Sequence, residues 1–455
     1  MRLSAETLDA LPPDVARPGY DRAAQRTGIV HFGLGAFARA HLAAHTDAAM
    51  GAGARDWMIA GVSLRSDSVA RQLDPQDELY TLTERHEAEQ DVRLVGALHE
   101  VLVAGPDDDA IVERIASPDC RIVSFTVTEK GYCRGAGGGL DFRLAGDGFY
   151  PLLAAGLTHR MQQGLQGLTL LSCDNLSANG DALGKLVMLW LERESPDASD
   201  WFAAHCTTPN TMVDRIVPAA SADDLDELER RIGMRDDGAV LTERFSQWVI
   251  EDDFAGPRPR WEEHGAQIVD DVAPYETAKL RMLNGAHSLL AYEGLRRGYA
   301  CVHEAMADPA LRALVRRLMR KEAAPTIAAA SGQDLAAYAD ALEARFEDPA
   351  LKHRLAQIAM DGSQKIPQRW LETLAESGAR CGAILTGIAA WIAHIADGCD
   401  LDDPRGSELQ AVVREAGRAG AARAVFGAGG SLASAWQPSE AELAFIMQAT
   451  GENER

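Results

Sequence analysis

Three short stretches of this chain gather side chains that can do chemistry. The first is Gly33-Leu34-Gly35-Ala36-Phe37-Ala38, set directly behind the apolar run Gly28-Ile29-Val30-His31-Phe32. Behind a strand and ahead of a helix, the first glycine permits a tight turn and the second lets a pyrophosphate approach the backbone. The free N–H groups of the helix start, around Ala36 and Phe37, then meet its charge. Ala38 stands where a third glycine usually sits. An acidic residue at the end of the second strand holds ribose hydroxyls in such sites. Asp67 is the candidate, 32 residues after Gly35 rather than about 20. Its neighbour Arg65 would instead attract a 2′-phosphate, so NAD is favoured over NADP. The plainer alternative is a tight strand–helix turn without a ligand.

The second stretch, from Tyr275 to Tyr292, reads YETAKLRMLNGAHSLLAY. At about 100° per residue with Lys279 at the origin, His287 falls near about 80° and Asn284 near about 140°, while Arg281, at about 200°, points away. A lysine, an amide and an imidazole on one side of a helix can deprotonate a hydroxyl and cradle the oxygen left behind. The lysine must first lose its proton, which desolvation and a nearby nicotinamide cation favour. Gly285 inside this helix costs about 1 kcal/mol against alanine and signals close packing or a ligand. The alternative is an amphipathic helix with its polar face in water. The third stretch, Ser172-Cys173-Asp174-Asn175, follows the apolar run 168–172, at the strand end where α/β ligand sites lie. Asn175 can donate its amide to a developing alkoxide, or Asp174 and Asn175 can simply cap a helix. Thr126 to Tyr132 (TVTEKGY) also ends a strand, and its Glu129–Lys130 pair reads equally as an exposed loop.

The elements that must position these residues are legible from periodicity. Runs 28–32, 57–64, 121–127 and 168–172 read as strands separated by helical segments, the pattern of βαβ units and a mostly parallel sheet. The first helix is expected to run to about Met50. From about Pro274 the segments 275–296, 309–324, 335–346 and 383–396 carry helical periodicity. The spacing therefore predicts an α/β protein: a Rossmann-like domain over 1–270, then a mainly helical substrate and catalytic domain over 271–455. The glycine run 135–139 is expected as a surface loop.

Composition narrows the function classes. The 455 residues carry 45 Lys+Arg against 68 Asp+Glu, a net charge of −23. That field repels nucleic acid and anionic membrane surfaces, so neither is an expected partner. The most apolar stretch, 383–396, falls short of the ~18 residues of a membrane span. The seven cysteines (Cys120, Cys133, Cys173, Cys206, Cys301, Cys381, Cys399) are scattered and never spaced C-x-x-C. Reduced thiols, no zinc knuckle and no secretory leader are the expectation, and with them a cytoplasmic chain. Only six lysines occur, Lys130, Lys185, Lys279, Lys321, Lys352 and Lys365, beside 39 arginines. Lysine, unlike arginine, can lose its proton when desolvated. Arginine-favouring base composition is the plainer cause of the bias.

Taken together, GIVHFGLGAFARAH (28–41), TVTEKGY (126–132), LSCDNLSANG (171–180), TMVDRIVPAA (211–220), QWVIEDDF (247–254), KLRMLNGAH (279–287) and AMDGSQKIPQR (359–369) resemble the mannitol dehydrogenase family of long-chain polyol dehydrogenases. The resemblance runs from about residue 10 to about residue 400 and is weak over the last fifty. It implies a zinc-independent, NAD-dependent oxidoreductase in which Lys279 is the general base. Asn284 and Asn175 match the amides that hold the reacting oxygen, and His287 matches the imidazole that orients substrate. Glu276 matches a carboxylate that relays the proton. Lys365 matches a substrate-binding lysine, and Asp214 is assigned to substrate on the same resemblance. Gln357 stands where mannitol-specific members carry an arginine. Members are monomers or small homo-oligomers acting on a small sugar acid or polyol.

Within the family, the motifs TEKGY, MVDRIVPA, KLRMLNG and AMDGSQKIPQR are closer to fructuronate reductases, which interconvert D-mannonate and D-fructuronate. Such a substrate carries a carboxylate and needs a cation, for which Lys130 or Lys365 are the candidates. Rival readings are a mannitol 2-dehydrogenase or other neutral-polyol dehydrogenase, a phosphorylated-polyol dehydrogenase, and a non-catalytic dinucleotide sensor.

Overall fold

The computed structural model describes the chain apart from residues 87–88, 136, 378–380, 398–400 and 452–455. It divides into two compact units, Met1–Val272 and Ala273–Arg455. Cys399 and one residue of the glycine run 135–139 lie outside the described residues.

The described strands all belong to the first unit. They are β1 Thr27–Phe32, β2 Met58–Ser63, β3 Tyr80–His86, β4 Glu89–Val95, β5 Leu98–Val103, β6 Ile122–Phe125, β7 Thr169–Ser172, β8 Thr211–Asp214, β9 Val240–Glu243, β10 Gln247–Glu251 and β11 Ala266–Val269. Five form the main sheet in the order β5-β2-β1-β6-β7, with every pairing parallel. This is a Rossmann-like α/β sheet. β1 is buried along its whole length, which explains its near-continuous apolar run, since strands covered on both faces lose polar alternation. From β1 the chain winds first to β2 and β5 on one side, then crosses to β6 and β7 on the other. The loops after β1 and β6 therefore diverge and open a crevice at the strand ends, the switch point where such sheets bind ligands.

Two smaller mixed sheets, β4-β3-β9 and β11-β10-β8, complete the unit. None of the six strands of these two sheets was expected from periodicity, nor was β5 of the main sheet. The helix after the glycine turn is also shorter than expected. It spans Ala36–Ala40, breaks at His41 (φ −114°, ψ −86°) and resumes as Leu42–Gly51. The break is one of dihedral angles, since the His41 N–H still donates to the Phe37 carbonyl and the His41 carbonyl still accepts from the His45 N–H. Its ring stacks on Phe37 and meets Trp248 edge-on, with ring centres 5.0 and 5.1 Å away.

The second unit is helical. The helix expected over 275–296 is α-helical at Ala273–Ala278, winds as a π-helix over Lys279–Asn284, and returns to α-helix over Gly285–Arg296. Two further π turns, Leu318–Ala323 and Pro367–Leu371, pack against the first. From Gly285 to Gly294 every residue is buried, His287, Ser288 and Glu293 included. The polar residues of this helix therefore do not line a water-facing stripe. The apolar helix Gly382–Ala396 packs against it in one core with Met282, Leu289 and Trp370. Among the described residues, no helix is long and apolar enough to cross a membrane.

Candidate functional site

The glycine turn is held by a directional chain of buried hydrogen bonds. Thr126 Oγ1 donates to the Gly33 carbonyl at 2.8 Å, so His31 Nε2–H must donate to that hydroxyl at 2.9 Å. His31 Nδ1 is then the acceptor for Ser124 Oγ at 2.8 Å. Burial holds His31 neutral, its pKa lowered to about 4. Gly33 itself has φ +92°, and a Cβ there would sit 2.3 Å from the Thr126 carbonyl oxygen. Only glycine fits this turn. At Gly35, the N-cap of the following helix, a Cβ would meet nothing nearer than 3.8 Å. The space in front of that helix start is open.

A cleft of about 970 Å³ lies over this turn, lined by Gly33, Gly35, Arg65, Ser66, Thr128 and Lys130 among others. A glycine turn, a helix start and two cations facing one cleft suit a dinucleotide. Ala36 and Phe37 form the first turn of the helix. Asp67 is not in the lining; its exposed carboxylate pairs with Arg71 at 3.1 Å. Lys130 is exposed.

Asp174, weighed above as a helix cap, has another role. Its buried carboxylate accepts from the backbone N–H groups of Val127 (3.1 Å) and Thr128 (2.8 Å) and from the Tyr132 hydroxyl (3.0 Å). It thus ties the loop after β7 to the loop after β6 and holds Thr128 in a left-handed conformation, φ +64°. A non-glycine residue held there costs about 1–2 kcal/mol and is over-represented at functional loops. Asn175 stays exposed on the same loop. The helix Asn179–Glu194 takes its cap from a distance, with Asn210 Oδ1 accepting from Gly180 and Asp181 N–H. Asp214 is buried at the end of β8.

In the second unit, Lys279 is only 9% exposed, a burial that disfavours its charged form. A π turn winds fewer degrees per residue than the assumed 100°, because its hydrogen bonds close one residue later. Asn284, five residues on, is therefore swung back toward the azimuth of Lys279. Gly285 lies against the carbonyl of Arg369 (3.4 Å from its Cβ position), and its own carbonyl accepts from Trp370 Nε1 at 3.1 Å. These are ordinary contacts that a Cβ would also make, so packing does not by itself require a glycine here. His287 is buried against Phe346 and His353. Burial first, then the positive surroundings of His353, Arg345 and Arg369, holds its pKa well below the usual histidine range. Glu276 precedes Lys279 by three residues, on the same side of the helix. Arg281 is neutralised by Glu376 and donates to the Thr326 carbonyl. Lys365 donates its ammonium to the Met360 carbonyl at 2.6 Å.

Sequence reasoning passed over Arg369, which stands at the end of the SQKIPQR motif and touches the Lys279 helix. A cation fixed within a motif, in a chain this acidic, was the available signal. It also passed over Asp174 as a loop tie and His31 as the anchor of the turn. No local signal marks those two, because their partners lie between 42 and 95 residues away.

The linkage of His31 has a definite sign. Its folded pKa lies below the unfolded value, so its contribution is fully present above about pH 6.5 and is lost as pH falls toward about 4. The loss amounts to at most about 3 kcal/mol. His31→Gln lacks this term, so the stability lead of wild type over the variant is expected to shrink between pH 7 and pH 4.5 in urea unfolding. A gap that is constant with pH would show that His31 is protonated in the fold.

The fold joins a parallel sheet with a glycine turn at its switch point to a helical unit that buries Lys279 and His287 on one continuous helix. Residues 27–263 match the mannitol dehydrogenase Rossmann domain and residues 271–423 the mannitol dehydrogenase C-terminal domain. The chain belongs to the mannitol dehydrogenase family, the family of mannitol and other polyol dehydrogenases. It is 42% identical to the uncharacterized oxidoreductase YeiQ of Escherichia coli over 89% of this chain and 87% of that one. To the D-mannonate oxidoreductase of Escherichia coli it is 37% identical, over 92% and 91%. The structure of Pseudomonas fluorescens mannitol 2-dehydrogenase with NAD and D-mannitol superposes with a TM-score of 0.82 at 34% identity, covering 99% of this chain and 96% of that one.

Proposed function

We propose that this chain is an NAD-dependent oxidoreductase that interconverts D-mannonate and D-fructuronate, with Lys279 as general acid and base. The observation that carries the reading is the buried Lys279 on a π turn with Asn284, one α-helical stretch ahead of a neutral, buried His287. Gly33 and Gly35 would hold the pyrophosphate of the dinucleotide, which supplies a hydride acceptor or donor when bound. In oxidation, neutral Lys279 takes the proton of the carbinol hydroxyl. Asn284 donates an amide N–H to that oxygen as negative charge develops, a stabilisation that strengthens toward the transition state. Glu276 passes the proton onward from the lysine. His287 offers a neutral donor and acceptor pair to a neighbouring hydroxyl, and Lys365 and Asp214 keep the substrate-binding roles their motifs imply. Asn175 donates its amide to the same carbinol oxygen. No step in this scheme calls on a metal.

The sugar-acid substrate rests on the resemblance of the TEKGY, MVDRIVPA, KLRMLNG and AMDGSQKIPQR motifs to fructuronate reductases and is compatible with the 37% identity to the D-mannonate oxidoreductase. A mannitol 2-dehydrogenase is the second reading, supported by the superposition on the Pseudomonas enzyme. The use of NAD is supported by the same structure. A reduced, cytoplasmic setting is part of the proposal, and the six described cysteines form no disulfide.

The test is NADH consumption by purified protein with D-fructuronate and, separately, with D-fructose. NADPH runs alongside, because Arg65 and Ser66, rather than Asp67, line the cleft. A higher kcat/KM for D-fructuronate is expected. A preference for D-fructose would move the chain to the mannitol reading.

A further inference from the structure

We propose that Arg369 is the residue that recognises the substrate's carboxylate; the inference rests on the sugar-acid reading above. Arg369 sits in the π turn Pro367–Leu371. Its Nη1 donates to Ser288 Oγ at 2.8 Å and to the Asn284 carbonyl at 3.4 Å, which pins the guanidinium to the helix that carries Asn284 and His287. Its charge is felt at both His287 and Lys365.

What marks this arginine is partial burial without a counter-ion. Other arginines of the second unit meet a glutamate: Arg281 pairs with Glu376, Arg317 with Glu322 and Arg316 with Glu343. Among the described residues no carboxylate forms an ion pair with Arg369, and its hydrogen-bond partners, Ser288 Oγ and the Asn284 carbonyl, are both neutral. Burial lowers its pKa to about 10, so it keeps its charge at neutral pH. Nε and Nη2 have no protein partner, yet they are not sealed away from solvent. A partly buried cation held without an anion is costly unless a ligand supplies one. The planar guanidinium fits a carboxylate with two parallel hydrogen bonds, whereas neutral hydroxyls gain little from its charge.

The other cations near the motifs serve less well. Lys130 is exposed, so solvent screens its charge. Lys365 already gives its ammonium to the Met360 carbonyl, and Arg281 is neutralised. In a chain of net charge −23, an arginine without a local anion is a departure that the sugar-acid substrate accounts for.

The test measures kcat/KM for D-fructuronate and D-fructose in wild type, Arg369→Met and Arg369→Lys, each checked for folding by thermal unfolding. Loss of a desolvated charge-assisted pair is expected to lower the fructuronate-to-fructose ratio by about 100-fold in Arg369→Met, mainly through KM. Arg369→Lys keeps the charge but loses the two-pronged geometry, and about a tenfold fall is expected. If Arg369→Met does not fold, the lysine variant decides. An equal loss on both substrates, or an unchanged ratio, would mean that Arg369 only braces the helix, and the inference would fall. Failure of the sugar-acid reading is distinguishable, because it appears in wild type as a preference for fructose.

Discussion

Replacing Lys279 by alanine is expected to cut turnover by about 10²–10⁴-fold, the range that positioned proton transfer supplies, while dinucleotide affinity stays nearly unchanged. The two effects separate because Lys279 belongs to the helical unit and the glycine turn to the sheet unit. The pH dependence has a fixed sign. Ketone reduction needs the lysine protonated, so its rate falls as pH rises, and oxidation needs it neutral, so its rate climbs over the same range. In the alanine variant both slopes should flatten. His287 adds no limb near pH 6.5, because burial and its positive neighbours keep it neutral well below that value. Stopped-flow turnover and NADH titration of the variant would check this. Comparable losses in turnover and in cofactor binding would make Lys279 a structural residue.

The two glycines of the turn are expected to fail in different ways. At Gly33 the backbone is left-handed and a Cβ would overlap the Thr126 carbonyl. Gly33→Ala therefore pays about 1–2 kcal/mol for conformation and about 1–3 kcal/mol for the overlap. Thermal unfolding should fall by several degrees, and cofactor binding with it. At Gly35 the backbone is extended (φ −99°) and the Cβ position is open. Gly35→Val should keep its melting temperature yet weaken NADH binding by about 10- to 100-fold, because the side chain occupies the approach to the free helix N–H groups. Differential scanning calorimetry and fluorescence titration distinguish these outcomes. Undiminished binding in Gly35→Val would remove the dinucleotide from this turn.

Much of the architecture is legible because it rests on local rules. β1 reads as a buried strand since both of its faces are covered, and GLG behind it is a backbone requirement written in glycine. The long helices of the second unit announce themselves by apolar periodicity. The strands β3, β4, β5, β8, β9, β10 and β11 do not: β3, β4 and β5 mix polar with apolar residues, and β8 to β11 are short segments outside the regular strand–helix alternation, with partners as remote as β3 for β9. The π turn at Lys279 is invisible for a related reason. Its backbone conformation is close to that of an α-helix, and what sustains it is packing against two other π turns and hydrogen bonds from Arg369 and Trp370.

By itself, then, the sequence determined the alternation of the main sheet, the long helices, the glycine turn and the chemical types available: a lysine, two amides, an imidazole and scattered cations. Those follow from steric and hydrophobic rules that act within a few residues. Tertiary structure alone decided which of these groups are charged, buried or neutralised. Arg281 and Arg369 are chemically identical and both close to the Lys279 helix, yet one meets Glu376 and the other meets no carboxylate. Asp67 and Arg65 are two residues apart, yet only Arg65 lines the cleft. Charge compensation and desolvation depend on neighbours brought together across tens of residues, and local pattern contains no record of them.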